Sequence, residues 1–238
     1  MQQRTAEPLA RDPADELFHR ASHDLAAPLR DIALLAEWIE QDAAPTLSAE
    51  CLESLQLMRG RITRLRRALA DLLVYSMAPQ TVREISDVDC DSLVRQLLVE
   101  LDLPASFAVL QPSVLPTVAT SRTALREVFR QLLRNAVQHH DRSHGTIEIG
   151  WRRQGSAIEW CVSDDGPGLS AAARDTVLGM FVALKGVDDN LGSGVGLAAA
   201  NRLVELNGGK ISIEANQPRG TRFFFSWPVS AASVTEQD

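Results

Sequence analysis

Near the start of the chain, apolar residues recur at Leu17, Ala21, Leu25, Leu29, Ile32, Leu35 or Ala36, and Ile39. Alternating steps of three and four predict one long helix with a single apolar stripe. The stretch "QDAAPTLSAE" interrupts it with breakers and offers Ser48 as a helix N-cap. A second stripe follows at Leu52, Leu55, Met58 or Arg59, Ile62, Leu65, Leu69 and Leu72. Two long helices joined by a short loop predict an antiparallel hairpin over residues 15–78, after a loose polar leader at 1–14. One hairpin cannot cover both of its stripes, so the pattern predicts a homodimer closing a four-helix bundle.

The period changes after that. Pro79 is expected to stop the second helix, with a strand over "TVREI" and a domain boundary near residue 78. A helix from about Asp91 to Leu101, a strand "SFAVLQ" and a helix from about Arg122 to His139, capped by Ser121, come next. "GTIEIGWRR" and "SAIEWCVSD" flank a Gln-Gly turn as a β-hairpin does. "GVGLAAANRLVELN" reads as helix, and "GKISIEAN" and "GTRFFFSWPV" as a closing pair of strands. The order predicts an α+β chain in which a two-layer α/β sandwich over residues 79–230 follows the hairpin, with a tail at 231–238.

Composition narrows the function classes. The 238 residues are 45% hydrophobic, enough for a real core. No apolar run approaches the roughly 20 residues that span a bilayer, and the start carries no signal-peptide segment, so the expectation is a cytoplasmic protein without membrane insertion. Cys51, Cys90 and Cys161 lack metal-ligand spacing, which fits a reducing compartment. A net charge of -7 argues against nucleic acid as a partner, and the basic run "MRGRITRLRR" reads as a solvated helix face.

Four stretches carry candidate chemistry. "SHDLAAPL" sets His23 beside Asp24 and a helix-breaking Pro28, which costs roughly 3 kcal/mol in a helix interior and so calls for compensation. "DDGPGL" puts Asp164 at a strand end, with Gly166 and Gly168 letting the backbone approach a flat ligand; a buried carboxylate there suits an exocyclic amine such as adenine N6. "NLGSGVGLAAA" presents Gly192, Gly194 and Gly196 ahead of a helix, where free N–H groups favour phosphate, although a glycine triplet also suits a flexible turn. In "REVFRQLLRNAVQHH", Asn135 is a poor helix former mid-helix, and its amide oxygen is a hard ligand suited to a nucleotide's magnesium.

Together these stretches resemble, in order and spacing, the H, N, G1 and G2 boxes of bacterial sensor histidine kinases, over roughly residues 15 to 228. The wording around His23 and "MFVALKGVDDN" is most similar to the phytochrome-type branch. The resemblance implies a dimerisation and phosphotransfer hairpin followed by an ATP-binding domain of the gyrase, chaperone and histidine-kinase (GHKL) fold. By it, His23 is the phosphoacceptor and Asp24 the base that orients it. Asn135 is the magnesium ligand, with Gln131 a further candidate; Asp164 contacts adenine, and Gly166 and Gly168 are close-approach positions. Gly192, Gly194 and Gly196 hinge a lid over the phosphates, anchored by Phe181, with Lys185 as its cation. The implied partners are a response regulator receiver domain, a second copy of the chain, and a separate sensor protein or domain as input.

The sequence departs from the pattern at Gln131, where the family often has a second asparagine. That glutamine also lacks the base of a water-activating ATPase. Two alternatives share the fold: a serine kinase of the anti-sigma type, which lacks a histidine hairpin, and a nucleotide-impaired dimeric phosphotransfer adaptor.

Overall fold

The computed structural model describes residues 13–43, 46–82, 84–180, 194–229 and 234–235. The two apolar stripes become α1 (Pro13–Ala43) and α2 (Ala49–Thr81), packed on each other as a hairpin. Ser48 caps α2 as expected, its Oγ accepting from the Cys51 N–H at 3.2 Å. Glu40 and Arg59 pair across the two helices.

The buried side of α1 is narrower than its leucine stripe. Ser22 and Ala36 are buried, and Ala26, Leu29 and Ala33 are half-buried, whereas Leu25, Ile32, Leu35, Trp38 and Ile39 stay exposed. Small residues let the helices approach closely, so α2 packs along them and the larger apolar side chains face outward. On α2, Ile62 and Leu69 are buried while Leu57, Met58 and Leu65 remain exposed.

Two expectations fail at the end of α2. The helix runs through Pro79 to Thr81, and the strand expected over residues 81–85 is instead β1 at Ser86–Asp89. Pro79 forfeits only the bond to the carbonyl one turn back, and it lies in the last turn, where the loss is small. There Thr81 Oγ1 donates to the Met77 carbonyl at 3.0 Å and the Val82 N–H to Ala78 at 3.4 Å. Pairing sets the strand: Ser86–Asp89 lies antiparallel to β3 (Thr117–Thr120), overriding the β-propensity of the residues before it.

The remainder is an α/β sandwich. Five strands, β2 (Phe107–Leu110), β4 (Gly145–Gln154), β5 (Ala157–Asp164), β6 (Ile211–Ala215) and β7 (Thr221–Pro228), form one sheet in the order β2-β4-β5-β7-β6. Among the described strands of this sheet only β2 and β4 pair in parallel. A small sheet of β1, β3 and β8 (Val234–Thr235) adjoins it. The helices are α3 (Cys90–Leu101), α4 (Arg122–Gln138), a short α5 (Ala171–Thr176) and α6 (Gly196–Leu206). Alternation along β7 buries Phe223, Phe225 and Trp227 on one face. Phe129 of α4 meets Trp160 and Phe225 edge-on, at centroid distances of 5.2 and 5.5 Å. That aromatic core fixes α4 against the sheet.

Candidate functional site

α4 is the element on which the predicted site converges. Ser121 caps it, accepting from the Ala124 N–H at 3.2 Å, and its apolar face is wholly buried. The polar residues Gln131, Asn135 and His139 then follow at intervals of one helical turn. Two residues past the end of the helix, His140 reaches the first glycine stretch. Nearer the middle, Gln131 reaches the second.

The His140 contact was not anticipated. Its side chain is 1% exposed and lies edge-on to Phe107, 5.2 Å between centroids. Nδ1 accepts from the Arg142 N–H at 3.1 Å, so the ring proton sits on Nε2, which donates to Asp165 Oδ1 at 3.1 Å. The Thr146 N–H bonds the same oxygen at 2.6 Å. Burial pushes the Asp165 carboxyl up, but these bonds outweigh it and hold the group below its ordinary value. His139, half-buried beside it, is pushed down by desolvation.

Asp164 ends β5 as predicted and is buried. The N–H groups of Gly166 (2.9 Å) and Thr221 (3.2 Å) both bond its Oδ1. Desolvation nevertheless raises its pKa. Gly166 is required for space, since a Cβ there would meet Asp164 Oδ1 at 2.9 Å, whereas Gly168 also has a positive φ of 78°. Gly220, absent from the sequence reading, is as constrained: its φ is 109° and a side chain would overlap the Asp164 carbonyl. The "PRGT" turn that carries it was the available signal.

Gly196 opens α6, and Gly194 before it has φ 67°. A side chain on Gly196 would meet Gln131 Oε1 at 2.5 Å, so the second glycine stretch lies directly on α4. Gln131 Nε2 donates to Glu127 Oε1 at 2.6 Å and to Asp71 Oδ1 of α2 at 2.9 Å. Asn135, one turn on, is half-buried. Phe181, Lys185 and Gly192 lie outside the described residues.

The second part of the site is on α1. His23 is 85% exposed, its Nδ1 3.3 Å from Asp24 Oδ1. An ionised carboxylate only accepts, so Asp24 selects the Nδ1–H tautomer and leaves the Nε2 lone pair facing solvent. Pro28 lies within the continuous helix, and its missing N–H is the one that would have bonded the Asp24 carbonyl.

The donor set bears on magnesium. Among the described residues no three His, Cys, Asp or Glu side chains cluster as a metal cage. Asn135 offers one amide oxygen, which fits an ion that keeps most of its water and arrives with phosphates.

Residues 120–231 match the family of histidine kinase-, DNA gyrase B- and HSP90-like ATPases. Over 96% of its length the chain is 28% identical to the methanogenesis regulatory histidine kinase FilI of Methanothrix harundinacea. It is 25% identical, over 93%, to the phytochrome-like protein Cph1 of Synechocystis. The structure of full-length ShkA in complex with AMPPNP superposes on 92% of the chain and 47% of that protein, with a TM-score of 0.67 at 25% identity. Over nearly its whole length the chain is similar to sensor histidine kinases, and its residues 120–231 to the ATPase family that includes DNA gyrase B and HSP90. The chain spans 26% of FilI and 30% of Cph1. Among the described residues no helix is long and apolar enough to cross a membrane.

Proposed function

We propose that this chain is a sensor histidine kinase catalytic core that binds ATP with magnesium, phosphorylates its own His23 and passes the phosphoryl group to an aspartate of a response regulator receiver domain. The single observation that carries the reading is the convergence on α4. The helix meets the second glycine stretch through Gln131 at Gly196 and carries Asn135 one turn on, and His140, two residues past its end, meets Asp165 of the first. Asp164 Oδ1 is held by two backbone N–H groups, which leaves Oδ2 for the adenine amine. The start of α6 receives the phosphates. Magnesium, when bound, neutralises phosphate charge, and Asn135 is the residue that would hold it.

In the transfer, the Nε2 lone pair of His23 attacks the γ-phosphorus and the bond to the β,γ-bridging oxygen breaks, releasing ADP. Asp24 stabilises the imidazolium that forms and takes its Nδ1 proton. Residues 15–78 act as the phosphotransfer hairpin and 79–230 as the nucleotide domain. The exposed apolar residues of α1 and α2 are covered by a second copy in a four-helix bundle, in the cytoplasm, with input from a separate sensor protein or domain. Incubation with γ-labelled ATP, followed by acid and alkali treatment, tests this. Acid-labile, alkali-stable label on His23 is expected, and absence of label with intact magnesium-ATP binding would reduce the protein to a phosphotransfer adaptor.

A further inference from the structure

Asp71 is an acid on the apolar hairpin helix α2, and it is only 3% exposed. Nothing in the amphipathic pattern requires it there, and a buried carboxylate needs partners to offset its desolvation. Gln131 and Arg134 of the nucleotide domain are among its partners. Oδ1 accepts from Gln131 Nε2 at 2.9 Å and stands 3.7 Å from the Arg134 guanidinium. Oδ2 faces the opening residue of α6: a Cβ on Gly196 would meet it at 3.4 Å. One turn along α2, the ring of Tyr75 lies under the guanidinium of Arg202 of α6, 4.2 Å from its centroid.

The charge of Asp71 therefore sits between Gln131, Arg134 and the start of α6. Backbone N–H groups and the positive end of a helix dipole favour an anion there, and the proposed site places the nucleotide's phosphates in the same region. Gln131 has both amide hydrogens committed to carboxylates, Asp71 and Glu127. The departure from the family's asparagine thus has a local consequence: the extra methylene lets the amide reach α2.

We propose that Asp71 is an autoinhibitory latch, its carboxylate standing in for phosphate at the start of α6 so that docking of α2 and binding of the nucleotide's phosphates compete. The proposal rests on the nucleotide-binding reading above and adds its regulation. A signal that moves α2 then acts on the nucleotide site directly, by withdrawing a competing anion. Adenine recognition at Asp164 is untouched, because none of the latch contacts involves it.

The test compares two probes on the full chain by calorimetry: the magnesium complex of a non-hydrolysable β,γ-imido ATP analogue, and adenosine, which has no phosphate. Asp71→Ala is expected to tighten the analogue on the order of five- to tenfold, the low end of common coupling strengths, and to leave adenosine unchanged. Asp71→Asn, which keeps the volume and removes the charge, should shift affinity the same way by less. Tyr75→Ala loosens the docking through a different contact and should also tighten the analogue, which keeps the test decisive if an Asp71 variant misfolds. Unchanged or weaker analogue binding in the folded variants, with wild type binding normally, would overturn the latch alone. Equal gains for analogue and adenosine would also overturn it, as they indicate general loosening. If neither wild type nor any variant binds either probe, the nucleotide reading falls and the latch with it.

Discussion

The hairpin and the α/β unit solve the burial problem differently. The α/β unit closes on itself: Trp160, Trp227, Phe129, Phe223 and Phe225 are essentially inaccessible, sealed between α4 and the sheet. The hairpin leaves Leu25, Ile32, Leu35, Trp38 and Ile39 exposed on one helix and Leu57, Met58 and Leu65 on the other. The sealed core of the first unit contrasts with the open apolar face of the second, which is the face the proposed dimer would cover. The division also separates the proposed chemistry, with the accessible His23 on the open half and the proposed nucleotide-binding groups in the closed half.

The largest expected effect that would break this comparison is on His23. His23→Ala should abolish labelling from γ-labelled ATP while leaving analogue affinity unchanged; residual acid-labile, alkali-stable label would remove His23 from its role. Next is the closed core. Phe225→Ala should cost about 3 to 5 kcal/mol in denaturant unfolding, as truncation of a buried aromatic does. Leu35→Ala should instead change the unfolding of the α/β unit by less than about 0.5 kcal/mol and weaken self-association by light scattering. A monomeric wild-type chain at micromolar concentration would contradict the open-half reading. Asp164→Asn should weaken nucleotide by about 1 to 3 kcal/mol, since a donor replaces an acceptor facing an amine. Among the nucleotide-site variants the smallest effect belongs to His140. His140→Ala should weaken nucleotide binding by about 1 kcal/mol through Asp165, and His140→Gln, whose amide can donate where Nε2 does, should recover most of it. Equal losses in both variants would make the ring's packing against Phe107 the important contribution.

Periodicity identified the elements with strong internal pattern: both hairpin helices, α4, α6 and the β4–β5 pair. It failed where pairing or position decides. The residues Thr81 to Ile85 look strand-forming, yet the helix persists past Pro79 and pairing begins only at Ser86. The short elements β3, α5 and β8 carry too few residues for a period to register. Glycines at Asp164 were legible because they follow it in sequence. Gly220 and Thr221 were not, because β7 brings them back from more than fifty positions away. His140 carries no signal of its own in the sequence, and only its burial against Phe107 and Asp165 distinguishes it from His139. Gln131 stood out as a departure from the pattern, but its partner on α2 depends on how hairpin and sandwich dock.

The continuity of α2 has a mechanical consequence. Its 33 uninterrupted residues make a rod about 50 Å long at a rise of 1.5 Å per residue, anchored by Ser48 at the loop end. Asp71 lies about 33 Å along that rod, so a tilt of about 5° about the loop end would carry it sideways by about 3 Å. The hydrogen bond it makes with Gln131 spans 2.9 Å. A change in helix inclination too small to disturb the packing near Leu52 and Leu55 is thus amplified, along a stiff lever, into one that separates α2 from the nucleotide domain.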